Sequence, residues 1–290
     1  MVNYEQRIFS IAILTSVIIL SFFGENFSDF KNQILLFLIP IIWPGLAHGS
    51  LDLEIAINRG IIQRFSHKFF FFITYITIII IFFSLWVNFP NITFLIFLLL
   101  STIHFGISDK ISRKKNTRAI EILIRATVVF VLPLKFHSEV TSEIFTFLGL
   151  RNDALSYILF LNEIFFYFLV LILCLWVVLR NESSTVKLSI LIEFSLIGFC
   201  FIYFEPIISF LIYFCFLHSV RHLNDEKKYL NLSYKNLFKK TLPFTIFPLL
   251  ILLIYFLNID ISNNIHIYYT LLGLSSLTIP HVILINFIKN

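Results

Sequence analysis

Four histidines, His48, His104, His218 and His222, are the residues of this chain best suited to chemistry. Each lies in a strongly apolar stretch, where an ionisable side chain is costly and marks a functional site by default. Their spacing fits metal ligation. His218 and His222 are four residues apart, so on a helix both rings leave one face about a turn apart, within reach of one ion. His48 and Asp52 share that spacing, and His104 and Asp109 are five apart, just past the helix face. A carboxylate that accepts the second N–H of a ligating imidazole fixes the ring and raises its basicity, and Asp52 and Asp109 are the natural candidates for that role. Gly45, Gly49 and Gly106 flank the histidines, where a missing side chain admits a close approach by a helix or ligand. Pro44 is placed to kink its segment and free a carbonyl.

The same residues have plainer readings. A lone membrane histidine more often bonds a neighbouring helix than a metal, and Asp52 and Asp109 serve equally well as caps at helix ends. Arg221, beside the histidine pair, reads as a cation that snorkels to the interface. It is the grouping of four imidazoles that favours a metal.

The elements that must position them are membrane helices. The chain has 290 residues, 58% hydrophobic and only 13% charged, with a mean hydropathy of +0.91. Soluble domains carry about 25% charged residues. A spanning helix needs about 20 mostly apolar residues, and ten stretches approach that length: 8–23, 33–53, 69–88, 91–108, 119–135, 155–179, 187–204, 206–223, 242–259 and 266–288. No linker or soluble segment interrupts them. The expected fold is all-α, a polytopic transmembrane helical bundle of about ten spans forming one integral membrane domain over residues 1–290. The first run is followed by Gly24-Glu25-Asn26 rather than a small-residue cleavage site, and so reads as a span and not a signal peptide. Cys174, Cys200 and Cys215 lie in apolar runs without Cys-x-x-Cys spacing and read as small buried hydrophobes. Nothing in the pattern suits nucleic acid.

Charge placement orients the bundle. With ten spans, the termini and the even-numbered loops share one side, and that side holds 18 of the 22 Lys and Arg residues. Only Lys31, Lys135 and Arg151 fall opposite, while Arg125 lies within a span. Basic residues concentrate on the cytoplasmic side, so both termini are expected inside, in a multi-pass protein of the cell (inner or plasma) membrane. Spans 2, 4 and 8 then all run from outside to inside. His48, His104, His218 and His222 lie near their inner ends, at one level in the cytoplasmic third of the bilayer. His281, after Pro280 in span 10, lies at a similar or slightly deeper level and reads either as a further ligand or as a residue lining the cavity.

The segments Pro44-Gly-Leu-Ala-His48-Gly-Ser-Leu-Asp52, His104-Phe-Gly-Ile-Ser-Asp109, His218-Ser-Val-Arg221-His222 and Pro280-His281 resemble, in order and spacing, the Brp/Blh family of bacterial and archaeal β-carotene 15,15′-dioxygenases. The likeness runs from about residue 40 to 285. It implies iron bound through His48, His104, His218 and His222, and cleavage of β-carotene by dioxygen at the central double bond into two retinals. A product passed to a microbial rhodopsin is also implied.

The residues themselves agree with that implication. Imidazole suits iron, copper, zinc or nickel. Four neutral imidazoles leave a ferrous ion its charge and, in an octahedral arrangement, two open positions. A carotenoid is about as long as the hydrocarbon core is thick, roughly 30 Å, so a metal inside an apolar bundle meets such a substrate without desolvating it. Three alternatives remain open. A membrane di-iron lipid hydroxylase needs about eight ligands in several His boxes, whereas one His-x3-His is present here. A haem carrier uses facing histidines as axial ligands. A non-catalytic carotenoid- or retinal-binding or rhodopsin-assembly protein would hold its pigment unchanged.

Overall fold

The computed structural model describes residues 3–27, 30–178, 182–257 and 264–288. Among them there is helix and turn but no strand. The principal helices are α1 (Tyr4–Phe23), α2 (Phe30–Leu36), α3 (Asp52–Asn58), α4 (Phe65–Asn88), α5 (Pro90–Ser108), α6 (Lys115–Phe136) and α7 (Ser138–Phe147). They continue as α8 (Asn152–Val178), α9 (Ser184–Tyr203), α10 (Pro206–Tyr213), α11 (Ser219–Tyr229), α12 (Tyr234–Leu257) and α13 (Asn264–Asn286).

Seven segments among the described residues are long and apolar enough to cross a membrane: Tyr4–Phe27, Phe65–Asn88, Pro90–Ser108, Asn152–Val178, Ser184–Tyr203, Pro206–Tyr229 and Tyr268–Asn286. Their outward faces suit lipid. On α4, Phe69, Ile73, Ile76 and Ile80 are all exposed, a stripe at helical spacing that would be costly in water.

The three other stretches expected to span differ for separate reasons. The stretch 33–53 is not one helix. The residue before a proline is pushed out of the α region, and Trp43 accordingly takes extended angles (φ −146°, ψ 118°) ahead of Pro44. A short 3-10 turn, Leu46–Gly49, follows and carries His48. The stretch 119–135 is helical within α6 but contains Glu121, Arg125 and Lys135, which lower its hydropathy. The stretch 242–259 lies in α12 and runs past the described residues at its end.

The chain packs as two compact units, each assembled from separate stretches of sequence. The first comprises Met1–Gly45, Thr102–Phe145 and Asn152–His222. Here α6 lies along α8 and α9, and α1 packs on α9, α10 and the turn Phe214–His218. Its core includes Phe9, Trp176, Ile190, Phe201, Ile212 and Leu217. Lipid tails are as apolar as these side chains, so close packing and polar contacts, rather than exclusion from water, hold such helices together. Gly106 of α5 shows how close the packing is, since a Cβ there would stand 2.5 Å from the Ile122 carbonyl oxygen of α6.

The first unit also contains a buried polar lattice. Gln6 of α1 donates to the Ser189 carbonyl and to Glu193 of α9. Glu193 also accepts from Arg125 of α6 and from Arg221 of α11. Arg125 donates as well to Glu121, one turn earlier. Glu121 in turn accepts from the backbone N–H groups of Ile111 and Ser112, fixing the turn after α5. All four charged side chains, Glu121, Arg125, Glu193 and Arg221, are buried, and charges of both signs satisfy one another, as buried charges must.

The second unit comprises Leu46–Ser101, Thr146–Arg151 and Leu223–Asn290. In it α4 packs along α13, with Phe83 against Tyr269, and the turn Leu46–Gly49 packs on α12. Ala47, Leu51, Ile55, Leu223, Leu237 and Ile285 form a small core beside that turn.

Candidate metal centre

In the first unit, three of the expected ligands come together. His104 lies near the end of α5, His218 closes a π-helical turn, Phe214–His218, and His222 follows one turn later on α11. All three are buried. The π turn inserts an extra residue into the helix and re-aims the side chains that follow, a feature frequent at functional sites. The rings of His104 and His218 lie 5.1 Å apart between centroids, and His222 lies 6.1 Å from each. Two imidazoles on neighbouring positions of one ion, with metal–nitrogen bonds of about 2 Å, have ring centres roughly 4.5–5.2 Å apart. His104 and His218 match that spacing, and His222 stands further out.

His218 is held from several sides. Its Nδ1 lies 3.1 Å from Asp109 Oδ1. An ionised carboxylate only accepts, so Nδ1 carries the proton and Nε2 presents the lone pair that a metal needs. The hydroxyl of Tyr213 donates to the other oxygen, Oδ2, of the same carboxylate. Arg221 donates to the Asp109 carbonyl (2.8 Å), with its guanidinium 3.8 Å from Oδ1. Phe105 meets the His218 ring edge to face at 4.8 Å, and Phe214 stacks on it at 5.8 Å. These two rings shield the imidazole from water.

The fourth expected ligand, His48, belongs to the second unit and is also buried. Its ring meets that of His281 at 4.9 Å and 87°. His281 Nδ1 lies 2.8 Å from Asp52 Oδ1, and Tyr75 of α4 donates to Asp52 Oδ2 at 2.9 Å. Gly49 faces the same ring, since a Cβ on it would lie 3.7 Å from His281 Nδ1.

Both aspartates therefore bind histidines, but not those nearest in sequence. Asp109 serves His218 rather than His104, and Asp52 serves His281 rather than His48. On its own helix, His104 instead has the Ser108 hydroxyl 3.4 Å from Nδ1. Arg221, expected to snorkel, is buried and bonded within the lattice. Sequence reasoning passed over Tyr213, Tyr75 and Glu193. Glu193 did carry a signal, as a carboxylate inside an apolar run that also faced Arg125 inside another. Of the remaining histidines, His67 accepts from the backbone of Gln63 in an exposed turn, and His137 contacts the Ile202 carbonyl. The His266 side chain lies outside those described.

The family model described as beta-carotene 15,15′-dioxygenase matches residues 39–289, nearly the whole chain. The chain belongs to the beta-carotene 15,15′-dioxygenase family. A relative from uncultured marine bacterium 66A03, described by the same name, is 32% identical over 259 residues, which cover 86% of this chain and 91% of the relative. No solved structure matches the chain. The stretch shared with the dioxygenase family takes in every histidine and aspartate discussed above, together with Tyr75, Tyr213 and Glu193. Both α1 and α2 precede it.

Proposed function

We propose that this chain cleaves β-carotene at its central 15,15′ double bond with dioxygen, giving two molecules of all-trans-retinal, at a ferrous ion held by His48, His104, His218 and His222. The observation that carries the reading is membership of the dioxygenase family, joined to a buried imidazole cluster whose lone-pair side is set by Asp109.

The donor set fits iron. Neutral imidazoles suit first-row divalent metals, and a carboxylate behind a ligating imidazole is the usual support. When bound, the ferrous ion supplies the one-electron chemistry toward dioxygen that no side chain here offers. The protein's own residues bind, orient and shield. Asp109 and Tyr213 hold the His218 ring at one angle and in one tautomer. Arg221 and Glu193 anchor the backbone and charge around Asp109. Phe105 and Phe214 exclude water from the His218 face. No proton transfer from a side chain is required, and the buried tyrosines act as fixed donors.

The setting follows from the same reading. The protein is a single integral membrane domain of about ten crossings, the stretch 33–53 crossing as a broken segment rather than one helix, with both termini inside, in the cell membrane. Lipid delivers the carotenoid to an aromatic-lined tunnel open to the bilayer, and retinal passes to a microbial rhodopsin.

Expression in a β-carotene-producing bacterium tests the activity. Loss of orange colour with retinal on chromatography is expected. Pigment that persists in air despite confirmed membrane insertion would overturn the reading and favour a carotenoid-binding protein. Alanine in place of any one of the four histidines should abolish retinal while insertion persists, and full activity in two such variants would sink the ligand set.

A further inference from the structure

The two units contain one arrangement twice. In the first, Asp109 gives Oδ1 to Nδ1 of His218 and Oδ2 to the hydroxyl of Tyr213. In the second, Asp52 gives Oδ1 to Nδ1 of His281 and Oδ2 to the hydroxyl of Tyr75. In each case a buried carboxylate is clamped on both oxygens and holds a buried imidazole by the same nitrogen. In each case the ring meets a second buried histidine, His104 at 5.1 Å or His48 at 4.9 Å. The sequence gives no hint of the repetition, because the partners are 104 and 109 residues apart in one unit and 23 and 229 in the other.

We propose that His281 is itself a metal ligand, bound beside His48 within the second unit and presented by the Tyr75–Asp52 clamp as His218 is by Tyr213–Asp109. The inference rests on the metal reading above. Three features single His281 out from a histidine that merely bonds a neighbouring helix. The proton on Nδ1 faces a carboxylate, so Nε2 is the lone-pair nitrogen. The spacing of 4.9 Å to His48 falls in the range of roughly 4.5–5.2 Å expected for neighbouring imidazoles on one ion with bonds of about 2 Å. The clamp also has a cost that simple helix packing does not call for, namely a desolvated carboxylate fixed at both oxygens. Such outer carboxylates are the rule behind ligating histidines. Pro280, immediately before His281 within α13, cannot donate the helical hydrogen bond at its own position and loosens the helix where the ring must be placed.

Cobalt(II) is the probe, since it takes imidazole sites and its visible bands report ligand number and geometry independently of turnover. The full-length protein in detergent is compared with His281→Ala, His281→Gln, Asp52→Asn and Tyr75→Phe, with His137→Ala as a control outside both clusters. His281→Gln keeps much of the volume and a donor for Asp52 but lacks the ring nitrogen. His281→Ala and His281→Gln should both weaken cobalt binding by a hundredfold or more and change its spectrum. Asp52→Asn should weaken it about 10–100-fold, and Tyr75→Phe by less. Wild-type affinity and an unchanged spectrum in His281→Gln would overturn the proposal while leaving the metal reading intact. A wild-type protein that binds neither cobalt nor iron would instead overturn the metal reading itself.

Discussion

Asp109 binds His218 across 109 positions of sequence and passes over His104, which lies on its own helical segment. The choice determines which nitrogen of His218 faces the cluster, so the carboxylate matters through the ring it orients.

Asp109→Asn should leave the protein inserted but lower its metal affinity about 10–100-fold, because an amide is a weaker acceptor and can turn its NH2 toward Nδ1. Competition with a chelator of known affinity measures this directly. Tyr213→Phe removes only the second hydrogen bond to that carboxylate and should cost less.

The lattice around Glu193 should dominate stability. Removing one partner of a buried ion pair leaves charge uncompensated, at about 3–5 kcal/mol. Glu193→Leu deprives both Arg125 and Arg221 of a carboxylate, and a large fall in the unfolding midpoint in detergent is expected. Adding Arg125→Met to that variant should recover part of the loss, because residues in one network are not additive.

Gly106→Ala tests the contact between α5 and α6. Its Cβ meets a backbone carbonyl oxygen at 2.5 Å, which cannot rotate away as a side-chain tip could. Destabilisation of about 1–3 kcal/mol is expected from such overpacking. Because His104 and Phe105 sit on the same turn, retinal formation should fall further than the midpoint does.

Outside the membrane segments, Glu182 ties down the start of α6. It accepts from the Thr117 hydroxyl and from the backbone N–H groups of Arg113 and Lys114. Slight burial raises this carboxyl, but the Thr117 bond, the two backbone bonds and nearby Lys114 together lower it. The contribution is therefore fully present above the ordinary glutamate value of about 4.3 and is lost as pH falls through the lower, folded value. Hydrogen exchange at residues 113–117, corrected for intrinsic rate, should lose protection in acid. Glu182→Gln should remove this pH dependence.

The pairing of His218 with His222 was legible because it needed only a period of 3.6 residues and an apolar background, and the charge-based orientation of the spans brought His104 to their level. The pairing of His48 with Asp52 was not, since that argument assumed a continuous helix. Trp43 and Pro44 break the segment, and His48 sits on a 3-10 turn ahead of α3. Arg221 misled for a related reason. Its place near a span end allowed it to snorkel, and only the fold reveals Glu193 and the Asp109 carbonyl waiting for it. The tyrosine clamps were illegible because nothing local distinguishes Tyr75 or Tyr213 from the other aromatic residues. Charges inside apolar runs were the clearest sign left unread, and Glu121, Arg125 and Glu193 all proved to be partners in one lattice.

Gln6 gives the leading helix a duty that family likeness alone would not assign. It is fully buried and reaches Glu193 from a helix that ends before residue 39, where the match begins. A shortened variant starting at that boundary would retain every histidine yet open one flank of the Glu193 carboxylate to acyl chains, which offer it no donor. Amino-terminal fusions and deletions should therefore be designed around Gln6 rather than around the edge of the family match.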